Sequence, residues 1–487
     1  MAALSPEKKK RTTTLTPEDF TAQPEVREAV AKVLADFKGT QPKIVSDVID
    51  DAGHQYVNLV QKGGGVLGIA LVGYTYVLEQ AGIRFLKLAG TSAGAINTSL
   101  MTILKEKEDA KSEAVIQILC DLDFFSFVDG HPAARWLIRN FITHENFNRI
   151  MLRWAIIIGS MLVLLPLLCF VFFGLQHQHP ALAVITQTAF GLTALGFVAI
   201  CVFSGWVGSL LSRLKNAGFG INPGDTFYDW IKKIFEANGI HTVEDLTTKA
   251  RKRPASLRVR ENAPQTLENL DGDVTFITAE LVTQNKIQFP AMYNLFRAPG
   301  DKPIHPAGFV RASMSIPVFF ESYMIPDIDC TRPEIVKAWA DTFFEKDPPG
   351  TARFVDGGVL SNFPMNLFYN PALAQPRLPT FGIDLDDSNP NDKTKNPYFW
   401  TGGGYLGRVF NTIRFYYDKD FLIKNSMYQA GVGSIPLQRF KWLNFFLDNQ
   451  DKVDMFICGA QAAQRFLADF KWEDYKQTQV AARKQLS

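Results

Sequence analysis

The sequence predicts an α/β fold, a mostly parallel sheet covered by helices. Two apolar, β-type runs at residues 56–60 and 83–88 are separated by a helix-type segment at residues 69–80. Each run ends in a glycine-containing turn that leads into a helix-type segment, so the chain opens as a βαβα unit. Further β-type runs follow at residues 274–279 and 379–385. Loops that follow parallel strands share one edge of the sheet, so both glycine turns should face the same cleft.

The middle of the chain has a different character. Residues 155–212 contain no charged side chain, and two apolar runs at 155–174 and 181–211 flank a His/Gln linker. Each run is long enough to cross a bilayer as a helix. The sequence therefore predicts a two-helix transmembrane hairpin over residues 154–211, inserted into the α/β domain. A hairpin buried in a soluble core is the alternative, but core helices normally keep a polar stripe.

The flanking charges predict how this hairpin is oriented. Arg149 and Arg153 lie at the start of the first run, and Arg213 and Lys215 follow the second, whereas the linker carries no fixed positive charge. By the positive-inside rule both ends face the cytoplasm. We therefore expect a multi-pass membrane protein with two spans and its flanking domain on the cytoplasmic side.

The expected organisation is one interrupted domain with a tail. The segments are a basic disordered tail at 1–23, the first part of the domain at 24–150, the hairpin at 154–211, the second part at 216–390, and a helical, aromatic region at 391–487 packed on the same domain.

Composition argues against several classes of function. The formal net charge of +2, with scattered basic residues, does not favour nucleic-acid binding. The five cysteines are widely spaced and odd in number, which argues against a disulfide framework or a zinc site. His177 and His179 have no third ligand nearby, so linker polarity is the simpler interpretation. We expect no metal and no cofactor, and no cleavable secretion signal, because the N-terminus lacks an apolar core. Oligomeric state is left open.

The turn after the second strand is a candidate nucleophile elbow. The residues of this turn are Gly90, Thr91, Ser92, Ala93 and Gly94. In such an elbow the central serine sits on a strained turn between strand and helix, and glycines two places to either side let the two elements cross. Ser92 is therefore the candidate nucleophile.

The turn after the first strand is rich in glycine. Its residues are Gly63, Gly64, Gly65, Val66, Leu67 and Gly68. A dinucleotide fingerprint fits poorly, because no acidic residue closes the next strand, and a P-loop fails because no Gly-Lys-Ser/Thr follows. Backbone N–H groups of such a loop can instead stabilise a negative oxygen, as in an oxyanion hole. A tight turn without further function is the remaining alternative.

Ser92 needs a base, and the histidines do not supply an obvious one. The last histidine, His305, precedes more than a third of the chain. Asp356 follows an apolar strand-like run and precedes Gly357 and Gly358, a setting that directs its carboxylate from a strand end into the cleft. A simple turn-forming role for Asp356 stays open.

Four blocks together resemble the patatin-like phospholipase family. They are the Gly63–Gly68 loop, the Gly90–Gly94 elbow, residues 312–317 (ASMSIP) and Asp356-Gly357-Gly358. The resemblance spans roughly residues 55–390. It implies a Ser–Asp dyad without histidine, with Ser92 as nucleophile, Asp356 as base, and an oxyanion hole supplied by the loop residues Gly63, Gly64, Gly65, Val66 and Gly68. One position departs from the family: Leu67 stands where Lys or Arg is common.

The resemblance implies a lipid acyl hydrolase, and the predicted hairpin would anchor it in the membrane, so we expect its substrate partner to be a membrane lipid. Acyl transfer to an alcohol in place of water is not separated from hydrolysis by these motifs. A non-catalytic, membrane-anchored scaffold or binding protein on the same fold is the alternative from another class, and Leu67 is the feature that favours it.

Overall fold

The computed structural model of the chain describes residues 15–132, 135, 147–175, 182–216, 218–261, 263, 270–368, 375–388, 412, 416, 419, 421–423 and 426–478. The chain forms two compact units. The first contains Met1–Val128, Gly224–Pro317 and Ser322–Ser487, and the second contains Asp129–Pro223 and Val318–Glu321.

The described helices and strands alternate through the first half of the chain. The helices are α1 (Pro17–Thr21), α2 (Pro24–Phe37), α3 (Ile69–Gln80), α4 (Ala93–Ile103), α5 (Ser112–Cys120), α6 (Phe147–Leu175), α7 (Leu182–Asn216), α8 (Asp225–Ala237), α9 (Val243–Arg251), α10 (Ala307–Ser313), α11 (Pro333–Phe343), α12 (Ser426–Gln429) and α13 (Asn449–Asp469). The strands are β1 (Val48–Ile49), β2 (Gln55–Gln61), β3 (Ile83–Thr91), β4 (Gly220–Asn222), β5 (Arg258–Val259), β6 (Asp273–Glu280), β7 (Asn285–Phe289), β8 (Val318–Phe320), β9 (Tyr323–Ile325), β10 (Ala352–Asp356), β11 (Thr380–Asp386) and β12 (Val432–Pro436).

A mostly parallel sheet forms the centre of the first unit, as the sequence predicts. β12, β11, β2, β3 and β6 lie side by side and pair in parallel. β10, β9 and β7 extend the sheet with antiparallel pairs. Every residue of β2 is buried, which is the pattern of a parallel strand covered on both faces.

Helices pack against this sheet and against one another. α4 contacts β3, β6 and β2, and α3 packs on α13, which in turn contacts β12. Only two of the twelve residues of α3 escape burial, which suits a helix without a solvent face. The predicted helix at residues 69–80 is confirmed, and the strand predicted at 83–88 runs on to Thr91, directly before the candidate nucleophile.

The second unit contains the two apolar helices α6 and α7, which contact each other, and the short parallel pair of β4 and β8. Within the described residues, one stretch, Ala183–Trp206, is long and apolar enough to cross a bilayer. The apolar stretch of the preceding helix, Gly159–Leu175, has 17 residues and is shorter than that criterion requires. The expectation of two spans is therefore met only in part, by two apolar helices of which one has spanning length.

Two boundaries predicted from the sequence need correction. The expected disordered tail at 1–23 ends too late, because α1 lies within it and Phe20 is buried against the ring of Phe456, 5.3 Å away between centroids. The C-terminal region is not only helical and aromatic, because β12 adds a strand beside β11. Most of residues 391–425 lies outside the described residues.

Candidate active site

Ser92 sits at the turn between β3 and α4 in a strained backbone conformation. Its φ of 53° and ψ of −121° are unusual for a residue with a side chain, and such strain is typical of a nucleophile elbow. A Cβ on Gly90 would lie 2.3 Å from the backbone of Gly94, and a Cβ on Gly94 would lie 2.2 Å from the carbonyl oxygen of Gln61. Glycine is therefore required at both positions, as the elbow pattern predicts.

The register of β6 brings the elbow and Asp356 together. β3 pairs with β6 so that Thr91 lies opposite Ile277, and β10 pairs with β6 so that Asp356 lies opposite Thr278. β7 occupies the other edge of β6 over residues 276–280. β3 and β10 therefore lie along the same edge of β6, one after the other. Their last residues, Thr91 and Asp356, pair with successive residues of β6, which are about 3.3 Å apart along that strand.

The backbone around Asp356 fixes its carboxylate. Its Oδ1 accepts a hydrogen bond from the N–H of Gly358 at 2.7 Å, and its own N–H donates to the carbonyl of Ser315 at 2.8 Å. A Cβ on Gly357 would lie 2.2 Å from the carbonyl oxygen of Ile277, so the turn fits tightly on β6. Asp356 is 5% exposed and Ser92 4%, which places both groups in a shielded environment where electrostatic interactions are strong.

The glycine loop touches the nucleophile. A Cβ on Gly63 would lie 2.9 Å from Cβ of Ser92. The N–H groups of Gly63 and Val66 are already used, by the carbonyls of Asn362 and Trp442, both at 3.0 Å. This corrects the expectation that Gly63 and Val66 act as oxyanion donors, because each of these N–H groups holds the loop in place.

Gly64 and Gly65 are the donors that remain. Within the described part of the chain, neither N–H group has a hydrogen-bond partner. Gly65 has a φ of +56°, and a Cβ there would lie 2.3 Å from the carbonyl oxygen of Trp442. Gly68 packs on the elbow, where a Cβ would lie 2.8 Å from that of Ala93. The loop, whose Gly63 contacts Ser92, thus leaves two adjacent N–H groups without a partner among the described residues, as an oxyanion hole requires.

The turn after Asp356 is hydrogen-bonded to the glycine loop and to the elbow. The side-chain N–H of Asn362 donates to the carbonyl of Gly63 at 3.0 Å, and the backbone N–H of Gly63 donates in return to the carbonyl of Asn362. The hydroxyl of Thr91 donates to the carbonyl of Ser361 at 3.0 Å. The base turn, the glycine loop and the elbow therefore share one hydrogen-bonded network.

Ser313, the last residue of α10, holds the nucleophile in position. Its Oγ accepts the backbone N–H of Ser92 at 3.0 Å, and its hydroxyl donates to the carbonyl of Ile277 at 2.6 Å. No role was assigned to Ser313, Asn362 or Trp442 from the sequence. Ser313 and Asn362 lie in or near the motif blocks, but nothing in the local pattern around Trp442 marks it.

The absence of a cation at Leu67 is not compensated by Lys62. Leu67 is fully buried. The Nζ of Lys62 lies 2.6 Å from Oδ1 of Asp384 and donates to the carbonyl of Leu385 at 3.0 Å. Lys62 is therefore engaged on β11, and the loop relies on its backbone groups.

A narrow apolar cavity of about 50 Å³ adjoins the site. One end of its lining belongs to the glycine loop, through Gly65, Val66 and Gly68. α4 contributes residues from Ala93, next to the nucleophile, to Leu100. The remaining lining comes from α3, α5, Leu122 and four aromatic rings, so the cavity suits a hydrocarbon group.

No group of three or more potential metal-ligating side chains is found among the described residues. His177 and His179 lie outside them.

Ser313→Ala is expected to lower kcat about tenfold with little change in KM. The buried N–H of Ser92 loses its acceptor, a loss that costs roughly 1–3 kcal/mol, and the strained elbow loses a constraint. Ser313→Thr, which keeps a hydroxyl, should recover part of the rate. Ser315→Ala is the matched control, because Ser315 is equally buried but its hydroxyl bonds to Arg311 on α10 and not to Ser92. Equal loss of kcat in the Ser313 and Ser315 alanine variants would contradict a positioning role.

A strained serine between strand and helix, on a mostly parallel sheet and beside a glycine loop, is the arrangement typical of α/β serine hydrolases. The family model described as "Patatin-like phospholipase" matches residues 59–369. This is more than half of the chain, and the chain therefore belongs to the patatin-like phospholipase family, whose members are lipid acyl hydrolases.

Proteins similar to the chain include a bacterial relative and a protein of known crystal structure. The uncharacterized protein YqhO of Bacillus subtilis (strain 168) is 25% identical over 423 residues, which cover 86% of this chain and 100% of the relative. The crystal structure of VipD from Legionella pneumophila aligns with a TM-score of 0.35 and 13% identity, over 90% of this chain and 73% of that one.

Proposed function

We propose that the protein is a membrane-anchored serine lipid acyl hydrolase that cleaves acyl esters, with Ser92 as nucleophile and Asp356 as base. The observation that carries this proposal is the register of β6, which sets Thr91 and Asp356 at successive positions on one strand edge. Ser92 follows Thr91 directly, so the residues that carry the nucleophilic hydroxyl and the basic carboxylate lie at the same place in the sheet.

The reaction proceeds in two steps. Asp356 accepts the proton of the Ser92 hydroxyl as Oγ attacks the ester carbonyl carbon, and the N–H groups of Gly64 and Gly65 hold the oxyanion. The bond to the alcohol oxygen then breaks, and Asp356 returns the proton to the leaving alcohol. Asp356 next takes a proton from water, whose oxygen attacks the acyl-enzyme, and the released Ser92 oxygen regains the proton with loss of the fatty acid.

Two features favour a lipid as the substrate. Family membership indicates lipid acyl hydrolysis in general. The cavity beside the oxyanion loop is lined almost entirely by apolar side chains, so it offers hydrocarbon contacts to the acyl part of an ester and few polar ones.

The anchoring part of the proposal rests on α6 and α7. Large apolar side chains of both helices are exposed, with Phe170 at 80% and Phe190 at 69%, which is costly in water and favourable in lipid. In the proposed topology both helices cross the bilayer, and the catalytic unit faces the cytoplasm because Arg149, Arg153 and Lys215 flank the apolar runs.

Labelling by a fluorophosphonate probe tests the catalytic proposal. The probe reacts only with an activated serine, so we expect it to modify Ser92 in detergent-purified protein, as located by peptide mass spectrometry. The same preparation should release fatty acid from vesicles that contain phospholipid and neutral lipid. A folded protein that neither reacts with the probe nor releases fatty acid would favour the non-catalytic scaffold instead.

The anchoring proposal predicts that the full chain stays in the membrane pellet after alkaline carbonate extraction. High salt should not release it either, because the apolar area of α6 and α7 holds it and charge does not. A double charge substitution at two exposed positions of α7, Phe190→Lys with Leu195→Lys, should weaken retention, since each lysine near the middle of a span costs roughly 2.5–3.5 kcal/mol. Full release of the wild-type chain by carbonate would exclude spanning helices.

A further inference from the structure

Four aromatic residues form one wall of the cavity beside the oxyanion loop, and we call them the ring cluster. They are Phe124, Phe127, Phe227 and Trp230. The centroid of the Phe127 ring lies 5.3 Å from that of Phe227 and 5.4 Å from that of Trp230. Phe127 and Phe227 are buried, whereas Phe124 and Trp230 are half-buried. The Nζ of Lys452 lies over the Phe124 ring, 5.5 Å from its centroid, which leaves Trp230 as the ring that borders both the cavity and the protein surface.

The ring cluster comes from the two short segments that bound the insertion. Phe127 directly precedes Val128, where the chain leaves the first unit, and Phe124 lies three residues earlier. Phe227 and Trp230 follow shortly after Gly224, where the chain returns. Along the chain, Phe127 lies 20 residues before the start of α6, and Phe227 lies 11 residues after the end of α7.

The cavity is too small for an acyl chain as it stands. Its volume of about 50 Å³ has room for only a few water molecules. A fatty acyl chain enters only if part of the wall moves. The α4 wall is fixed by packing on β3 and β6, whereas Trp230 has one side free.

We propose that the cavity is an acyl-chain site whose entrance is covered by Trp230 and whose far end is closed by Leu100. Movement of Trp230 admits the chain, and Leu100 limits how far it can extend, so these two residues select the length of the acyl chain. Leu100 is buried and lies seven residues after Ala93 on α4, about 10 Å along the helix. The inference rests on the proposed function, because the selection is read on the Ser92 reaction.

The test is a series of p-nitrophenyl esters from acetyl to palmitoyl, with kcat/KM measured for each. Trp230→Ala removes the ring that covers the entrance, so it should raise the ratio of kcat/KM for long-chain esters to kcat/KM for short-chain esters about tenfold. Leu100→Phe fills the far end of the cavity and shortens it, so it should lower the same ratio about tenfold, the usual range for one or two carbon groups in an apolar pocket. Tyr228→Ala is the matched control, because Tyr228 is a half-buried aromatic residue on α8 that does not line the cavity.

The outcomes separate this inference from the proposed function. Ser92-dependent hydrolysis with an unchanged ratio in Trp230→Ala would overturn the inference and leave the function standing. If Leu100→Phe does not fold, Trp230→Ala still decides, because it removes a ring from a half-buried position and does not overfill the core.

Absence of any Ser92-dependent turnover would overturn the proposed function, and binding then tests the site alone. A brominated fatty acid should quench tryptophan fluorescence more in Ser92→Ala than in Ser92→Ala/Trp230→Phe, because bound bromine lies beside Trp230. Equal quenching in the two proteins would overturn the acyl-chain site.

Discussion

Replacing Ser92 with alanine is expected to reduce ester hydrolysis by at least about 10⁴-fold, because the reaction loses the atom that attacks the carbonyl carbon. Little rate should remain, since binding in the apolar cavity and the N–H groups of Gly64 and Gly65 do not supply a nucleophile. The acyl-enzyme should also disappear, so the fluorophosphonate label is lost together with turnover. Fatty-acid release from vesicles and probe labelling measure the two effects separately.

Ser99→Ala is the matched control for this variant. Ser99 is buried on the same helix, and its hydroxyl donates to the carbonyl of Ile96 within that helix. Both alanine variants should unfold at temperatures close to that of the wild type, and only Ser92→Ala should be inactive. Turnover that persists in Ser92→Ala would mean that another residue is the nucleophile.

Asp356→Asn should lower turnover by roughly 10³- to 10⁴-fold, the range seen when a buried catalytic carboxylate becomes an amide. The amide keeps the shape of the side chain and can still accept the N–H of Gly358 through its oxygen, so the turn should survive. It cannot accept the proton of Ser92. Labelling of Ser92 by the fluorophosphonate should slow along with turnover, because the same proton transfer activates the serine.

Asp384→Asn controls for the loss of a carboxylate at the same edge of the sheet. Asp384 lies on β11, which pairs with β2, and its carboxylate forms an ion pair with Lys62, so its amide variant should weaken that ion pair and leave most of the activity. Normal turnover in Asp356→Asn would show that the base lies elsewhere, while the elbow assignment of Ser92 would stand on its own test.

The parts of the site that the sequence predicts are those with a local steric cause. Gly90 and Gly94 are spaced for the crossing of β3 and α4, and the contacts at 2.3 and 2.2 Å show why no side chain fits at either position. The helix at residues 69–80 and the parallel strands around it are equally local, because a continuous apolar run and its periodicity determine them.

The remaining parts depend on partners far away in the chain. Val66 is held by Trp442, and Gly63 by Asn362, so the loop residues that keep free N–H groups could be identified only from the folded contacts. β12 has only five residues and pairs at the sheet edge, and its short run carries no strong alternating pattern. α1 is too short for a periodic signal, and the burial of Phe20 against Phe456 shows that tertiary packing holds it.

The hydrogen bonds between the glycine loop and the turn after Asp356 have a consequence for the synthesis of the protein on the ribosome. Ser92, Asp356 and Asn362 lie on opposite sides of the apolar insertion in the sequence, and Trp442 comes later still. A ribosome therefore completes the serine long before the groups that activate it and fix its oxyanion loop. We expect the growing chain to carry an inert hydroxyl until β10 has joined β6, so that lipid cleavage begins only after the apolar helices have been synthesised and the whole sheet has closed.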